Sequence, residues 1–278
     1  AAQYQIEVHP WFTVVQRQRE FFPQFYGPGT PEAAFDIHRP EFRTFITDLI
    51  LECLNRYPVQ GVNLDYIRSV SICQSDACSQ AYRRQTDRNL NLDRLSYGYS
   101  TEARNALAAW NEQAVIDIVR RVSNHVRQHR KQMLISVCAH PGHPNLYVQG
   151  QDSIKWADEG LIDVIYAMHY PDDPNWSEIR KLQRTMKRPG AYVVLCGNYD
   201  SIGPKRVSVS SDPAKVASLI SQSRQIGQDN GVGLYLYSLL NDEQIEALRS
   251  GPFRSPAKPR WVRAAASGLT SPTGLLVR

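Results

Sequence analysis

The segment Gly61–Arg68, with the sequence GVNLDYIR, constrains the fold more than any other part of the chain. Successive side chains of a strand point to opposite faces, so Val62 and Leu64 lie on one face of the predicted strand. Asn63 and Asp65 lie on the other, although a buried parallel strand is usually apolar on both faces. A polar face at the end of such a strand is typical of a barrel strand whose last inward residue belongs to an active site. The alternative is an edge strand whose polar face meets water.

The rest of the chain alternates strand-like and helix-like patterns. Apolar runs that predict strands occur at residues 5–12, 61–67, 132–139, 162–170, 191–198 and 231–238. Apolar residues recur at spacings of three and four over 40–57 and 101–130, which predicts amphipathic helices. Asp212 and Pro213 predict the start of a further helix, with the aspartate as its cap. Alternation on this scale favours a parallel sheet with helical crossovers.

This pattern favours an α/β fold of the (β/α)8 TIM-barrel type, of which six strands are visible. Because the first predicted strand begins close to residue 1, we expect one or two βα units of the barrel to be missing ahead of it. An open doubly wound sheet is the competing interpretation, and the absence of a Gly-rich phosphate loop between a strand and a helix weakens it. We assign residues 1–253 to the barrel and 254–278 to a C-terminal tail.

Composition argues against several classes of partner. The net charge of +5 is small for 278 residues, and no basic stripe is interleaved with aromatic residues, so no nucleic-acid partner is predicted. No apolar run reaches the length of about eighteen residues that predicts a membrane span. The N-terminal residues lack the basic-then-apolar order of a signal peptide, which is compatible with export if the sequence is a mature form. No cofactor is predicted.

The five cysteines fall into two groups. Cys73 and Cys78 lie in a polar segment, close enough in sequence for a small disulfide ring in an oxidising compartment. A zinc site on this pair would need two more ligands, and the sequence has no obvious set. Cys53, Cys138 and Cys196 lie in apolar helix or strand patterns and are predicted to be buried. We predict an extracellular or periplasmic location, where such a disulfide persists.

The ends of the predicted strands, where the active site of a barrel lies, are rich in polar and aromatic residues. Flat rings suit the apolar face of a pyranose and short polar groups suit its hydroxyls, so a carbohydrate is the predicted substrate. The candidate substrate-binding residues are His9, Trp11, Asn63, Tyr66, Arg68, His140, His169, Tyr170, Asn198, Tyr235 and Tyr237. His9 and His169 are expected to point into the barrel mouth. Segment 69–100 is long for a βα connection and is expected to cover one side of this mouth.

Several motifs resemble a known family. The segments Val8–Phe12, Pro40–Arg43, Arg56–Arg68, Ile162–Tyr170 and Gly231–Tyr237 are similar, in this order, to the glycosyl-hydrolase-like TIM-barrel family of bacterial and environmental proteins. The hydrolase domain of the poly-N-acetylglucosamine export deacetylase resembles the chain more distantly. The resemblance covers about residues 5–250, matches strands three to eight of that barrel and implies glycoside hydrolysis. Family members usually have Asp at the position of Gln60 and an aromatic residue followed by Pro at Ser69-Val70, so the neighbouring subsite is expected to differ in shape.

Glycoside cleavage uses two carboxyl groups, one as nucleophile or base and one as proton donor. Asp65 is the first candidate, since the resemblance places it at the end of strand four, where related retaining barrels have their nucleophile. Asp172 is the second, because it follows an apolar strand directly and Asp173 beside it would raise its pKa. The alternative for Asp172 is a cap, with Pro174 opening the next helix. Arg68 is expected either to lower the pKa of Asp65 or to form a structural ion pair.

Three function classes follow, in order of preference. The first is a glycoside hydrolase that uses Asp65 and Asp172 on a polysaccharide or oligosaccharide. The second is a non-catalytic carbohydrate-binding barrel that lacks an effective acid. The third is a metal-dependent polysaccharide deacetylase, which would need zinc between His140 and His143. No metal site is predicted, because neither histidine has a third ligand at a defined spacing.

Overall fold

The computed structural model describes residues 6–18, 21–170, 174–226 and 231–255. The strands are β1 Trp11–Thr13, β2 Gly61–Asp65, β3 Leu134–Ala139, β4 Val164–His169, β5 Tyr192–Gly197, β6 Tyr199–Ile202, β7 Val207–Ser210 and β8 Val232–Tyr235. The helices are α1 Pro40–Arg56, α2 Asp76–Thr86, α3 Leu90–Ser96, α4 Thr101–His129, α5 Pro144–Val148, α6 Ser153–Asp158, α7 Trp176–Gln183, α8 Pro213–Ile226 and α9 Asp242–Ser250.

Six strands form one parallel sheet in the order β1-β2-β3-β4-β5-β8, and β6 and β7 form a separate antiparallel hairpin. The predicted α/β fold, with parallel strands alternating with helices, is confirmed. Within the described residues β1 and β8 do not pair, so closure into a barrel is not detected. β2 has a neighbour on each side and all five of its residues are buried, which rules out the edge-strand interpretation.

The chain divides into two compact units, and β5 crosses from the first to the second. Among the described residues, the first unit contains β1 to β4 and α1 to α7. Its core includes the apolar face of β2 at Val62 and Leu64, both fully buried. The second unit, from residue 196 onward, contains β6, β7, α8, β8 and α9. Most of the predicted tail, residues 256–278, lies outside the described residues.

Ordinary capping chemistry sets the starts of the helices. Pro40 occupies the first turn of α1, where its missing N–H costs no hydrogen bond. The carboxylate of Asp212 accepts hydrogen bonds from the first turn of α8, as predicted. The side chain of Asn175 caps α7, so the helix-cap alternative proposed for Asp172 is filled by another residue. None of the described helices combines the length and apolarity that a membrane crossing needs.

Segment 69–100 is folded, since it contains α2 and α3. Tyr82 and Leu90 of these helices pack with Leu107 and Trp110 of α4 in a buried apolar cluster. The same cluster contains Cys73 and Cys78, which form the predicted disulfide. Of the three free cysteines, Cys196 is buried as predicted, whereas Cys53 and Cys138 are only partly buried.

Candidate active site

The carboxylate of Asp65 ends β2 and is held from two sides. Its Oδ2 accepts a hydrogen bond of 3.2 Å from the indole N–H of Trp11 in the neighbouring strand β1. Its Oδ1 accepts a hydrogen bond of 2.7 Å from the backbone N–H of Tyr66. Asp65 is only 7% exposed. Fixed donors on rigid elements hold an oxygen in one orientation, which is what a reacting carboxylate requires.

Burial raises the pKa of Asp65 above its ordinary value. The hydrogen bond from Tyr66, the charge of Arg68 and the hydrogen bond from Trp11 act in the opposite direction without cancelling the effect of burial. The expectation that Arg68 holds this pKa low is therefore wrong in its net sign, because desolvation outweighs the guanidinium charge. A raised pKa makes the carboxylate a better base.

The backbone turns sharply directly after Asp65. Tyr66, Val70 and Ser71 have positive φ angles of 48°, 56° and 117°. Such conformations cost about 1–3 kcal/mol for a residue other than glycine. A hydrogen bond from the hydroxyl of Ser69 to the carbonyl oxygen of Ser71 helps to fix the turn. Backbone strain of this kind concentrates at functional sites, so the turn marks the end of β2 as one.

Arg68 lies in this turn. Its guanidinium carbon is 4.6 Å from the centroid of the Tyr66 ring, a distance typical of a cation–π contact. Burial lowers the pKa of Arg68, whereas the charge of Asp65 raises it. The Nη1 atom is buried and has no hydrogen-bond partner among the described residues. The structure therefore brings together Trp11, Asp65, Tyr66 and Arg68.

Two histidines follow the neighbouring strands, His140 after β3 and His169 at the end of β4. Burial is the main cause that lowers both pKa values, to about 4 for His169. The positive charge of Arg68 also lowers the pKa of His140. Nε2 of His169 lies 3.1 Å from the hydroxyl oxygen of Tyr192. Both imidazoles are thus neutral at neutral pH, when each ring carries one donor and one acceptor nitrogen.

The metal interpretation gains no support from the described residues. The rings of His140 and His143 lie 6.4 Å apart. Within the described ranges, the only set of three potential ligands close enough to share an ion is Asp36, Cys73 and Cys78, and its two cysteines form a disulfide. A zinc-dependent deacetylase would need a third ligand beside the two histidines.

Asn63 lies on the same face of β2 as Asp65 and one layer deeper. Its amide nitrogen donates a 2.9 Å hydrogen bond to Ser136, and its amide oxygen accepts one of 3.3 Å from the thiol of Cys138. Burial and the charge of Asp65 raise the pKa of Cys138 to about 12, which keeps this thiol protonated as a donor. Asn63 therefore supports the floor of the site. Ser136 and Cys138 were missed as site residues, although their spacing of two in β3 places both on one face.

His9 lies away from Asp65. Strand β1 begins only at Trp11, and the ring of His9 covers Gly61, the first residue of β2. Its Nε2 is 3.1 Å from a carboxylate oxygen of Glu7. The expectation that His9 points into the mouth is wrong, because it lies beside the amino end of β2 and Asp65 ends the opposite end of that strand.

Replacing Gly61 with Ala is expected to lower the free energy of unfolding by roughly 1–2 kcal/mol. A Cβ at this position would lie 2.5 Å from the ring of His9, so the ring would have to move away from Glu7. Gly98→Ala is the matched control, since no atom lies within 4 Å of the Cβ it would gain. Urea denaturation compares the two variants, and an unchanged midpoint in Gly61→Ala would contradict the close packing of His9.

Three predicted site residues belong to the second unit. Asn198 is fully buried and its side-chain amide donates a 3.1 Å hydrogen bond to Gln244, so its predicted role in binding substrate is wrong. Tyr235 packs edge-on against Tyr199, with the ring centroids 6.2 Å apart. Tyr237 is 88% exposed. The two tyrosines remain predicted sugar-binding residues of this unit.

The two remaining predicted residues follow β4. Tyr170 is partly buried and comes directly after His169. Asp172, the predicted acid, lies outside the described residues. Its separation from Asp65 therefore stays a prediction.

Solved structures with the same fold are carbohydrate-active enzymes. A class V chitinase from Pseudomonas fluorescens Pf-5 has a TM-score of 0.54 at 11% identity, covering 91% of this chain and 82% of that one. A β-galactosidase from G. stearothermophilus has a TM-score of 0.53 at 12% identity, covering 88% of this chain and 43% of that one. The chain thus spans less than half the length of this β-galactosidase. At such low identity the likeness shows the fold alone, an α/β sheet that matches TIM-barrel glycosidases.

The family assignment comes from the sequence match. Residues 2–189 match the model of the family Glycosyl hydrolase-like 10, so this chain belongs to that family. The matched residues include β1 to β4 and Asp65. The resemblance to glycosyl-hydrolase-like barrels is thereby confirmed. A search of curated proteins gave no match.

Proposed function

We propose that this protein is a glycoside hydrolase that cleaves O-glycosidic bonds of a polysaccharide or oligosaccharide. The observation that carries the proposal is the placement of Asp65, a buried carboxylate at the end of β2 with both oxygens held by fixed donors. The strained turn that follows it supports a functional role for this strand end. Membership of a glycosyl-hydrolase-like family supports the same class of reaction.

In the proposed reaction Asp65 attacks the anomeric carbon or removes a proton from the attacking water. The hydrogen bonds from Trp11 and Tyr66 stabilise its charge and fix the direction of its free lone pairs. Asp172 protonates the glycosidic oxygen as the leaving group departs. A separation of about 5–5.5 Å between the two carboxyl groups would give retention, and one of about 6.5–9.5 Å would give inversion.

Trp11 is the proposed platform for the sugar ring. Its indole N–H is bonded to Asp65, yet the residue is 60% exposed, so much of its apolar surface is open beside the reacting carboxylate. Aromatic rings of this kind pack against the C–H face of a pyranose. Tyr66, His140, His169 and Tyr170 are the further substrate-binding residues proposed in the first unit.

A non-catalytic carbohydrate-binding barrel is the second candidate, and one observation favours it. Among the described residues, no second carboxyl group contributes to the electrostatic environment of Asp65. A site without a proton donor would still bind a sugar through Trp11 and the polar groups around it. The role of Asp172 therefore separates the two candidates.

Replacing Asp172 with Asn is expected to slow the hydrolysis of natural glycans by about a hundredfold or more, since a general acid contributes at least that much. Nitrophenyl glycosides should be affected much less, because a good leaving group departs with little protonation. Initial rates on both kinds of substrate measure the difference. Asp173→Asn is the matched control for removing one charge at this position.

Equal losses on natural and activated substrates would remove Asp172 as the acid. Binding of oligosaccharides without any hydrolysis by the wild-type protein, on activated substrates as well, would favour the binding barrel.

We also propose that the protein works in an extracellular or periplasmic compartment. The disulfide between Cys73 and Cys78 supports this location, because structural disulfides persist mainly in oxidising compartments. Measuring the proportion of free thiols in protein isolated from each cell fraction tests it. Recovery of the protein only from the cytoplasm, with both thiols reduced, would contradict it.

A further inference from the structure

We infer that Arg68 forms a subsite for a carboxylate group of the glycan, and hence that the preferred substrate is an acidic saccharide. The inference rests on the proposed function, because it places this subsite next to the bond that Asp65 attacks. It adds the charge of the substrate, which neither the family nor the fold specifies.

The position of Arg68 fits such a role. It follows Asp65 by three residues, in the strained turn at the end of β2. The ring of Tyr66 packs against its guanidinium, with 4.6 Å between the guanidinium carbon and the ring centroid. This contact restricts the guanidinium to the end of the strand where substrate would bind.

Arg68 differs from other partly buried arginines of the first unit in its lack of an acidic hydrogen-bond partner. Those arginines donate to a carboxylate over 2.6–2.9 Å, in the pairs Arg43–Asp117, Arg88–Asp93 and Arg127–Asp163. The Nη1 atom of Arg68 is buried, and no described residue accepts a hydrogen bond from it. The carboxylate of Asp65 accepts its hydrogen bonds from Trp11 and Tyr66 instead.

An unpaired buried guanidinium nitrogen is unfavourable, because water has been removed and nothing has replaced it. The protein keeps this arrangement next to a backbone turn that is itself strained. Both costs are offset if a ligand brings an anionic acceptor to Arg68. Small rotations of the side chain would bring Nη1 and its neighbouring nitrogen to such a ligand together.

A carboxylate matches Arg68 better than other anions. The planar fork of arginine pairs with the two oxygens of a carboxylate through parallel hydrogen bonds. His140 and His169 are neutral at neutral pH, so Arg68 brings one positive charge to the pair, which suits a monoanion. Two saccharides supply this chemistry: a uronic acid, with its carboxylate on the ring, and a muramic acid, with its carboxylate on a lactyl ether.

The test compares matched acidic and neutral oligosaccharides. Glucuronate-containing and glucose-containing oligomers form one pair, and muramate-containing and N-acetylglucosamine oligomers form the other. A sulfated oligomer tests a monoanion of different shape. The variants are Arg68→Gln, which removes the charge, and Arg68→Lys, which keeps the charge but removes the fork. Arg120→Gln, on the exposed face of α4, is the matched control for charge.

Arg68→Gln is expected to weaken kcat/KM and affinity for the acidic member of one pair by roughly 10- to 100-fold, the range for a charge-assisted hydrogen bond. Neutral oligomers and Arg120→Gln should change by less than about twofold, and Arg68→Lys should give an intermediate loss. Which pair responds identifies the source of the carboxylate. Equal losses on acidic and neutral oligomers would overturn the inference, as would a larger response to the sulfated oligomer.

Binding in the Asp65→Asn background separates this inference from the proposed function. If the wild-type protein hydrolyses nothing, the proposed function fails, but affinity for acidic over neutral oligomers still decides the role of Arg68. If Arg68→Gln does not fold, Arg68→Lys alone decides: an unchanged preference for the acidic oligomer in that variant would overturn the bidentate subsite.

Discussion

The variant Asp65→Asn is expected to lose turnover by about a thousandfold or more while still binding the sugar. Asparagine keeps the size of the side chain and an oxygen that accepts the hydrogen bond from Trp11, but it removes the charge that attacks carbon or activates water. Initial rates and the affinity for a non-hydrolysed oligosaccharide measure the two effects separately. Full activity in Asp65→Asn would exclude the proposed mechanism.

The stability of Asp65→Asn provides its folding control, and the sign follows from the raised pKa. The folded state holds the Asp65 proton more tightly than the unfolded state, so this group destabilises the fold progressively as the pH rises from about the ordinary value of 3.8 through the higher folded pKa. The asparagine side chain of the variant would carry no charge at any pH. The variant should therefore be at least as stable as wild type at neutral pH, and this advantage should shrink in acid.

Thermal unfolding at neutral and acidic pH measures this dependence. Asp48→Asn, which removes an exposed carboxylate from α1, is the matched control and should change stability little at either pH. A marked loss of stability in Asp65→Asn at neutral pH would mean that the charged form of Asp65 is structural. Loss of turnover would then carry no information about catalysis.

The fold was predictable from the sequence where side chains alternate strongly. Val62 and Leu64 opposite Asn63 and Asp65 predict a strand with one polar face, and that strand lies inside the sheet. The prediction succeeded because burial of the apolar face is enough to set the register of a strand. All six predicted strands of the sheet are present.

Strand β1 shows where alternation fails. Ile6 and Val8 alternate with polar residues as a strand would, yet they are 60% and 43% exposed, and the strand begins only at Trp11. An apolar residue contributes to a sheet only when a neighbouring layer covers it, and sequence alone does not show that cover. The error moved His9 from the amino end of β2 to the mouth.

The missed features depend on partners that are distant in sequence. Asn198 follows β5 as a substrate-binding residue would, but its amide bonds to Gln244, 46 residues away. The hairpin of β6 and β7 is short, and its residues are largely exposed, so the sequence carries no strong apolar period there. The net pKa shift of Asp65 could not be predicted either, because it depends on the depth of burial as well as on Arg68.

Removing the Cys73–Cys78 disulfide is expected to lower the free energy of unfolding by about 2 kcal/mol. The bridge closes a short loop, with a sequence separation of 5, so its effect on the unfolded chain lies at the lower end of the usual range. Both cysteines are nearly fully buried and pack in the cluster that contains Tyr82 and Trp110. The double variant Cys73→Ala, Cys78→Ala therefore also loses contacts inside this cluster.

Urea denaturation with and without dithiothreitol measures the effect in the wild-type protein and in the double variant. The reductant should destabilise the wild type and leave the double variant unchanged, because only the wild type has a bridge to reduce. Cys53→Ala is the matched control, since it removes a free, partly buried thiol from α1 and should keep the full response to reductant. The Sγ atom of Cys78 lies 3.7 Å from a carboxylate oxygen of the buried Asp36, and reduction would give this sulfur a proton to donate. A hydrogen bond formed there would offset part of the loss, so the reduced wild type should be somewhat more stable than the double variant. A wild-type midpoint that does not respond to reductant would contradict a stabilising disulfide.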